Sequence, residues 1–369
     1  MTKTVLLTAG GTGGHLFPAQ ALAHALIERG WHVHLATDGR ATQYGQDFPA
    51  ESITIIPSAT PSVRNPVKMA KAMLKLAEGY MAARRLIKSL APDVVVGFGG
   101  YPTVPPMLAA RSLGVPSCLH EANGVMGRAN RFLAKGANAI AASFPIRKGA
   151  EGLEQKITMT GNPVRPNFLA AAQMPYEPVT DGGDIRIVVT GGSQGARFFS
   201  EYMPGALGRL SKEIRDRIRL VQQCRPEDLL RVKTGYRELG LEAELAPFFS
   251  DIPQKYAAAH LIVCRSGAST VSEVAAIGRP AILVPLPGTL DQDQHANAKT
   301  LEEVGGAWVL QQRGMRPNDI SDLLEDLIAN PDKLTAAAEA ARGQGKLDAA
   351  DRLADLVEQL AGGDTGVAK

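Results

Sequence analysis

The sequence predicts an α/β fold made of two doubly wound domains, each built on a sheet of parallel strands. Short continuous apolar runs alternate with helical patterns along the 369 residues, which is typical of βαβ units. A strand-like run that ends in a glycine turn occurs twice, as TVLLTAGGTGGH at 4–15 and as IRIVVTGGSQGA at 185–196. Because the length also favours two domains over one, we expect one sheet in each half of the chain.

Nine apolar runs are predicted strands, and the segments between them carry helical periodicity. Over 16–29, for example, six apolar residues share one face, and Gly30 is suited to end the helix. The predicted strands are Thr4–Thr8, His32–Ala36, Asp93–Val96, Pro116–Leu119, Ala139–Ser143, Ile185–Thr190, Arg219–Gln223, Leu261–Cys264 and Ala281–Pro285.

The domain boundary is predicted from the segment Gly161–Asp184, which is rich in proline and glycine and has the composition of a linker. We therefore expect an N-terminal domain over 1–165 and a C-terminal domain over 166–344. The tail after Asp332 is rich in alanine and has a helical pattern. Its helix over about 345–362 is expected to pack back on the first domain.

The composition narrows the class of protein. Hydrophobic residues make up 45% and charged residues 21%, which excludes a disordered or fibrous chain. The three cysteines form no CxxC pair, so neither a zinc cage nor a disulfide framework is expected, and a reducing compartment fits. The apolar run at the N-terminus is too short for a signal-peptide core, and no run approaches the roughly 18 apolar residues of a spanning helix. These features predict a soluble cytoplasmic protein.

Positive charge is concentrated in the first half of the chain. Residues 1–165 contain 18 Lys+Arg against 9 Asp+Glu, whereas the remainder contains 22 against 28. This asymmetry predicts an anionic partner for the first half, which could be nucleic acid, phosphate or an acidic membrane surface. Basic residues scattered over a solvated surface are the alternative.

One stretch of the first half, Lys68–Lys88, combines six basic residues with apolar residues at helical spacing. The pattern predicts an amphipathic helix or helix pair that docks on an anionic membrane. The alternative is a stripe that faces the core behind a solvated basic face. The apolar residues expected at the membrane are Met69, Met73, Leu76 and Tyr80.

The opening loop places four glycines in the five positions 10–14 and ends at His15. It lacks the third glycine of a G-x-G-x-x-G dinucleotide fingerprint, although Asp38 could act as the ribose-binding acid of that motif. It also lacks the Gly-Lys-Ser/Thr of a P-loop. Glycines after a parallel strand can instead expose backbone N–H groups at a helix N-terminus, where an anion is stabilised. His15 then lies at the carboxyl end of the strand, where such sheets bind ligands.

A second glycine loop, Gly191–Ala196, and the stretch Cys264–Gly288 carry similar signals in the second half. In the latter, a tight turn brings backbone amides to the front of a helix, which suits a pyrophosphate. Glu273 has two possible roles. It could complete a capping box with Thr270, or its carboxylate could accept both hydroxyls of a ribose.

Two further stretches carry polar residues at strand ends. In DQDQHANA (291–298), Asp291 and Asp293 resemble a metal-binding DxD, but Gln294 and Asn297 are better suited to the hydroxyls of a sugar, and no metal is expected. In HEANGVMGRANR (120–131), Glu121 follows a strand end, where a functional role is favoured over a surface one.

These motifs, taken in order, resemble one family closely, the MurG family of bacterial peptidoglycan glycosyltransferases. The matching segments span most of the chain. They are GGTGGHLFPAQALA, GGYPTVPPMLAA, HEANGVMGRANR, GNPVR, GGSQGAR, CRSGASTVSE and DQHANA.

The resemblance implies a GT-B fold, in which two Rossmann-like domains flank a cleft that holds the active site. It implies that the C-terminal domain binds UDP-N-acetylglucosamine, with the backbone near Phe249 at the uracil, Glu273 at the ribose, and Arg165 and Ser193 at the diphosphate. The donor contacts implied are Thr12, Gly13, Gly14, Asn123, Arg165, Ser193, Phe249, Ala268, Ser269, Thr270, Val271, Ser272, Glu273 and Gln294.

The N-terminal domain is implied to bind the lipid-linked acceptor, with Tyr101 and Asn130 as expected contacts. The sequence departs from the family at two positions. Ala122 stands where the family has Gln in its His-Glu-Gln-Asn motif, and Asp293 stands where His or Gln is common. Both departures concern fine contacts to the sugar. The basic stretch also lacks tryptophan.

The expected reaction is an inverting, metal-independent transfer of N-acetylglucosamine to the 4-hydroxyl of undecaprenyl-diphospho-N-acetylmuramoyl-pentapeptide, on the cytoplasmic face of the plasma membrane. No cofactor and no nucleic acid are expected. His15 is the predicted base, because imidazole titrates near neutral pH, and Glu121 is the second candidate. The alternatives are another GT-B enzyme, such as a diacylglycerol sugar transferase, and a redox or non-enzymatic protein that binds NAD(P) at the first loop.

Overall fold

The computed structural model describes residues 2–39, 48–61, 65–288 and 292–363, and of 193–196 it describes the backbone only. The chain forms two compact units. One comprises the described residues up to Arg165 together with those from Lys346 onward, and the other comprises Pro166–Gly345.

The first unit is built on a seven-stranded parallel sheet in the order β3-β2-β1-β4-β5-β6-β7. Its strands are β1 (Thr4–Ala9), β2 (His32–Thr37), β3 (Ser52–Ile55), β4 (Val94–Gly97), β5 (Ser117–Glu121), β6 (Ala139–Ala142) and β7 (Ile157–Met159). Its helices up to Arg165 are α1 (Gly13–Glu28), α2 (Pro66–Leu90), α3 (Val104–Leu113) and α4 (Arg128–Leu133). Short 3-10 turns lie at Tyr101–Thr103, Ala134–Gly136 and Glu154–Lys156.

Both faces of this sheet are covered, which explains why its central strands are apolar without alternation. Val5 and Leu7 of β1 pack with Leu22 and Leu26 of α1 on one face. Leu6 belongs to the core on the other face, which α2 and α3 help to cover. Alternate side chains of one strand therefore enter two different cores.

The second unit is built on a six-stranded parallel sheet in the order β10-β9-β8-β11-β12-β13. Its strands are β8 (Ile185–Thr190), β9 (Ile218–Gln223), β10 (Ala243–Ala246), β11 (Leu261–Cys264), β12 (Ala281–Leu283) and β13 (Ala307–Val309). Its helices are α5 (Pro166–Ala171), α6 (Gly192–Leu207), α7 (Lys212–Arg217), α8 (Leu229–Glu238), α9 (Ile252–Ala258), α10 (Ala268–Ile277), α11 (Asp293–Glu302), α12 (Pro317–Ala329) and α13 (Pro331–Gln344), with a 3-10 turn at Pro226–Asp228.

The last helix, α14 (Ala349–Ala361), belongs to the first unit and packs on α1. Leu353, Val357 and Leu360 enter the same core as Val5 and Leu7. Arg29, at the end of α1, bridges three carboxylates of α14, those of Asp351, Asp355 and Glu358, at 2.6–3.1 Å.

The predicted α/β class with two parallel sheets is confirmed, and all nine predicted strands are present within one or two residues of their expected bounds. Four strands were not predicted, namely β3, β7, β10 and β13. Each of them is the outermost strand of its sheet. Within the described ranges, no helix has both the length and the apolar character needed to cross a membrane.

The basic stretch forms one continuous helix, α2, whose faces differ from the prediction. Ala72, Gly79 and Ala83 are buried, and the hydroxyl of Tyr80 donates to Ser112 Oγ at 2.9 Å. Met69, Leu76 and Tyr80 are only partly exposed, so of the four residues expected at a membrane only Met73 is turned to solvent, at 56% exposure. The outward apolar residues are Val67, Met73, Leu74 and Met81.

Candidate active site

In the first unit, the candidate site lies at the carboxyl edge of the sheet. Strands β1, β4 and β5 are neighbours, so the loops that follow them meet at one place. These loops carry the opening glycines and His15, the pair Gly99–Gly100, and the HEAN segment. The backbone N–H of Gly10 donates to the carbonyl of Gly99 at 3.3 Å and joins the first two loops.

The opening loop turns directly into α1, with Thr12 as the extended N-cap residue. Glycine is needed at position 13 for packing, because a Cβ there would lie 2.8 Å from the Phe17 ring. At Gly14 a Cβ would meet nothing within 4 Å, and the residue is exposed. Gly14 therefore leaves open space in front of the first helical turn, where a ligand can approach the backbone.

Three glycines lie against the ring of His15. A Cβ added to Gly10, Gly99 or Gly100 would approach atoms of this ring to 3.3, 3.1 and 3.5 Å. Gly99 and Gly100 also have φ angles of +93° and +77°, which glycine adopts without strain. The sequence interpretation used the GGY segment only for family resemblance and did not assign these two glycines to the site.

His120 lies behind His15 and is almost completely buried. Its Nε2 is 3.1 Å from the hydroxyl of Ser143, and its ring is tilted against Phe98. Burial, followed by the proximity of His15, lowers the pKa of His120 to about 3. His120 is therefore neutral at physiological pH and adds no charge beside the predicted base.

Glu121 is buried, and both of its carboxylate oxygens accept hydrogen bonds. Oε1 accepts from the backbone N–H of Asn123 at 3.0 Å, and Oε2 accepts from the N–H of Gly127 at 2.9 Å and from Asn130 Nδ2 at 2.8 Å. Burial raises the pKa of this carboxyl, while the donors act in the opposite direction. The geometry favours Glu121 as the brace of its loop over the role of second candidate base.

The other residues expected in the first unit lie around the same edge. Asn130 is buried, and its amide also donates to the carbonyl of His120 at 3.1 Å. Tyr101 is partly buried against the core beneath α3. The guanidinium of Arg165 lies 4.7 Å from the centre of the Phe17 ring, next to the start of α1. The side chain of Ala122, one of the two family departures, is buried.

In the second unit, the segment Ala268–Glu273 forms the first two turns of α10, which begins directly after the β11 loop. Residues 268–270 are partly exposed, whereas 271–273 are buried. The N-cap residue is Gly267, so Thr270 is the third residue of the helix and the capping-box interpretation of Thr270 and Glu273 is wrong. The ribose role of Glu273 stays a prediction.

Two hydrogen bonds hold Gln294 at the start of α11, and a third joins Asn297 to Ser266. Its side-chain Oε1 accepts from the N–H of Leu286 at 2.9 Å, and its carbonyl accepts from the hydroxyl of Ser266 at 2.8 Å. Asn297 Nδ2 donates in turn to the carbonyl of Ser266 at 3.2 Å. The bond from Leu286 identifies Oε1 as the inward end of the amide, and the partly exposed side chain carries two N–H donors at its other end.

The remaining predicted positions are described only in part. The side chain of Ser193, in the first turn of α6, and the whole of Asp291 lie outside the described residues. The Phe249 side chain is buried under Lys255, whose Nζ is 5.2 Å from the ring centre. Among the residues that are described, no three His, Cys, Asp or Glu side chains are grouped as a metal site would need.

Two family models match the chain. The glycosyltransferase family 28 N-terminal domain matches residues 5–142, and the glycosyltransferase family 28 C-terminal domain matches residues 186–353.

Full-length relatives carry one name, UDP-N-acetylglucosamine--N-acetylmuramyl-(pentapeptide) pyrophosphoryl-undecaprenol N-acetylglucosamine transferase. A protein of Methylorubrum populi with this name is 56% identical over 365 residues, which are 98% of each chain. One of Rhizobium etli (strain CIAT 652) is 52% identical over 361 residues, which are 98% of this chain and 96% of that one.

Two solved structures are similar to the chain. The crystal structure of Acinetobacter baumannii MurG is similar with a TM-score of 0.80 at 32% identity, and the match covers 97% of this chain and 99% of that chain. The calicheamicin glycosyltransferase CalG4 is similar with a TM-score of 0.66 at 17% identity over 98% of this chain and 99% of its own, which shows a shared fold.

Proposed function

The chain belongs to the MurG family within glycosyltransferase family 28, and from this premise we propose how its residues divide the work of the reaction. It is an N-acetylglucosamine transferase that acts on a lipid-linked N-acetylmuramoyl-pentapeptide. The donor in the proposal is UDP-N-acetylglucosamine, and the acceptor atom is the 4-hydroxyl of the muramoyl sugar in undecaprenyl-diphospho-N-acetylmuramoyl-pentapeptide.

The observation that carries the proposal is the placement of His15 at the carboxyl edge of the first sheet, with its ring against three glycines. In the reaction, the acceptor oxygen bonds to the anomeric carbon while the bond from that carbon to the diphosphate oxygen breaks. The hydroxyl proton passes to His15, and UDP leaves from the opposite face of the sugar. An α-linked donor thereby gives a β-1,4-linked product.

The donor is assigned to the second unit. The partly exposed first turn of α10 offers backbone N–H groups to the diphosphate, and Glu273 takes the hydroxyls of the ribose. Gln294 donates to hydroxyls of N-acetylglucosamine through its NH₂ group, since the bond from Leu286 holds Oε1 toward the protein. Charge that develops on the leaving diphosphate is stabilised by these amides and by Arg165. The proposal uses no metal ion and no cofactor.

The acceptor is assigned to the first unit, whose basic excess suits a lipid diphosphate at an anionic membrane. Helix α2 supports the membrane contact with an outward apolar face, defined as Val67, Met73, Leu74 and Met81. Lys71, Lys75 and Arg85 are exposed on the same helix. We assign this contact to the cytoplasmic face of the plasma membrane, because the nucleotide sugar is a cytoplasmic substrate.

The test is transfer of radiolabelled N-acetylglucosamine from its UDP derivative to the muramoyl-pentapeptide lipid, run with and without a chelator. A parallel reaction contains diacylglycerol as the acceptor in place of the muramoyl lipid. We expect label in the muramoyl lipid at equal rates in both conditions. Label in diacylglycerol alone would assign the chain to another lipid glycosyltransferase activity, and loss of transfer with chelator would overturn the metal-independent mechanism.

A further inference from the structure

Arg265 is a buried cation at the ligand edge of the second sheet, and the sequence analysis assigned it no role. It follows β11 directly and is only 5% exposed. Its Nη1 donates to the carbonyls of Val284 at 3.0 Å and Pro285 at 3.4 Å, just after β12. Its Nη2 donates to Gln312 Oε1 at 2.7 Å, beyond the end of β13.

The same guanidinium also contacts α6, the helix that follows β8. Its central carbon lies 4.8 Å from the ring centre of Phe198 and 5.3 Å from that of Phe199. Strands β8, β11, β12 and β13 are consecutive in the sheet. Arg265 therefore joins the connections that leave four neighbouring strands, three of which lead to the proposed donor contacts on α6, α10 and α11.

The charge of Arg265 is not neutralised by the groups that bond it. Within the described part of the chain, its hydrogen-bond acceptors are carbonyl and amide oxygens, and its Nε has no partner although it is buried. Burial lowers the pKa of Arg265 to about 10, so the side chain is still a cation at neutral pH. A buried cation without a carboxylate acts over a longer range than a solvated one, because less water screens it.

Arg279 offers a contrast inside the same unit. It is also buried and precedes β12, so it lies at the opposite, amino edge of the sheet. All three of its nitrogens donate to backbone carbonyls, among them those of Ala257, Ile277 and Pro175. Arg279 thus has the pattern of a purely structural arginine, whereas Arg265 lies at the ligand edge and has a nitrogen without a partner among the described residues.

From this contrast we infer that Arg265 is a positioning residue that directs a buried positive charge toward the diphosphate of the nucleotide sugar, while its carbonyl contacts hold the surrounding loops. The inference rests on the proposed donor site. It does not require contact between Arg265 and the ligand. It predicts that Arg265 favours ligands that carry a diphosphate over those that carry none.

The experiment compares the dissociation constants of UDP and uridine, measured by NMR titration, for the wild type, Arg265→Met and Arg265→Lys. We expect Arg265→Met to weaken UDP binding about 10-fold or more and uridine binding less than about 2-fold, because only UDP carries the diphosphate charge. Arg265→Lys keeps the charge and should bind UDP within about 3-fold of the wild type at pH 7. Arg279→Lys is the matched control and should leave both constants unchanged.

Equal weakening of UDP and uridine, or no weakening of UDP, would overturn the inference. If Arg265→Met does not fold, the pH dependence of UDP binding by Arg265→Lys tests the inference by itself. Since burial lowers the pKa of a lysine, its UDP affinity relative to the wild type should fall between pH 7 and pH 9, and a constant ratio would contradict the inference. A wild type that binds neither UDP nor uridine would instead contradict the proposed donor site.

Discussion

His15 illustrates how a side chain can be oriented by glycines that are distant in sequence. Gly10 is close to it along the chain, but Gly99 and Gly100 come from the loop after β4, the neighbour of β1. Any larger residue at these positions would have to displace the imidazole or adopt a strained φ angle. The proposed base is therefore positioned by the meeting of two loops, and its orientation depends on the strand order.

We expect His15→Ala to lower kcat by on the order of 10²-fold or more, with little change in affinity for UDP-N-acetylglucosamine, because the base acts on the acceptor proton. Steady-state transfer kinetics together with UDP titration measure both quantities. His24→Ala is the matched control, since His24 is an exposed histidine of the same helix. Near-normal turnover of His15→Ala would remove His15 as the base.

The substitution Glu121→Gln tests whether the Glu121 carboxylate stabilises its loop. The new amide would direct its NH₂ group at N–H donors that now bond a carboxylate oxygen. We expect the free energy of unfolding to fall by about 1–3 kcal/mol, as measured by urea denaturation. Glu154→Gln is the control, because the exposed Glu154 accepts a single backbone hydrogen bond, from Gly152. Loss of turnover with an unchanged free energy of unfolding would instead support Glu121 as the catalytic base.

At the scale of elements, the strands missed by the sequence analysis share one property. Strands β3, β7, β10 and β13 are the edges of the two sheets, and each has only three or four residues. An edge strand is covered on fewer sides, so it needs no continuous apolar run. Strand β3, for instance, has no fully buried residue in Ser52–Ile55. Its place could be known only once the neighbouring strand β2 was paired.

Helix α2 leads to a prediction about membrane binding. The double variant Leu74→Glu with Met81→Glu replaces two outward apolar side chains, which are 72% and 48% exposed, by negative charge. We expect binding to anionic phospholipid vesicles to weaken on the order of 10-fold or more in a sedimentation assay.

Leu230→Glu is the control for this membrane prediction. Leu230 is 79% exposed on α8 of the second unit, and its replacement should leave vesicle binding unchanged. Unchanged binding of the double variant would contradict the assigned membrane face.

His260 connects two strands of the second sheet and makes the unit sensitive to acid. Its Nδ1 accepts the backbone N–H of Arg186 at 3.0 Å, and burial lowers its pKa from 6.5 to about 4. Below pH 6.5, His260 of the unfolded chain binds a proton, whereas His260 of the folded chain stays neutral down to about pH 4. The stability contributed by neutral His260 is therefore present above pH 6.5 and is lost as pH falls toward 4, by about 1.4 kcal/mol per unit.

Urea denaturation at pH 7 and pH 5 measures this loss. We expect His260→Gln to remove part of the acid destabilisation, because glutamine offers an acceptor oxygen to Arg186 but takes up no proton. The partly exposed His295 belongs to the same unit, and His295→Gln should leave the acid dependence unchanged. An acid dependence that is identical in His260→Gln and the wild type would contradict this assignment.

At the scale of the whole molecule, the chain does not complete its first unit until its last helix. Helix α14 enters the core that contains β1, more than 300 residues earlier, and Arg29 bonds three of its carboxylates. The family 28 C-terminal model runs to residue 353 and so includes the start of this helix, although it packs in the first unit. The end of the family model, at residue 353, therefore does not coincide with the boundary of the second compact unit, at Gly345.

We expect Leu353→Ala to cost about 2–5 kcal/mol, because it opens a cavity in the core of the first unit. Hydrogen exchange should show reduced protection in β1 of that unit. Leu347→Ala is the control, since Leu347 is 43% exposed and should cost far less. Unchanged protection of β1 in Leu353→Ala would show that α14 adds little to this core.

The sequence by itself determined the α/β class, the central strands, the glycine loops and the family, because these depend on consecutive residues and on motifs of a few positions. Only the tertiary structure decided which face of α2 is outward, that Gly99 and Gly100 lie against His15, and that Arg265 contacts the segments that follow β12 and β13 and the helix that follows β8. It also rejected the capping box, because the start of α10 at Ala268 makes Gly267 the cap. The physical reason is that local periodicity is written along the chain, whereas these contacts exist only after strands distant in sequence are paired.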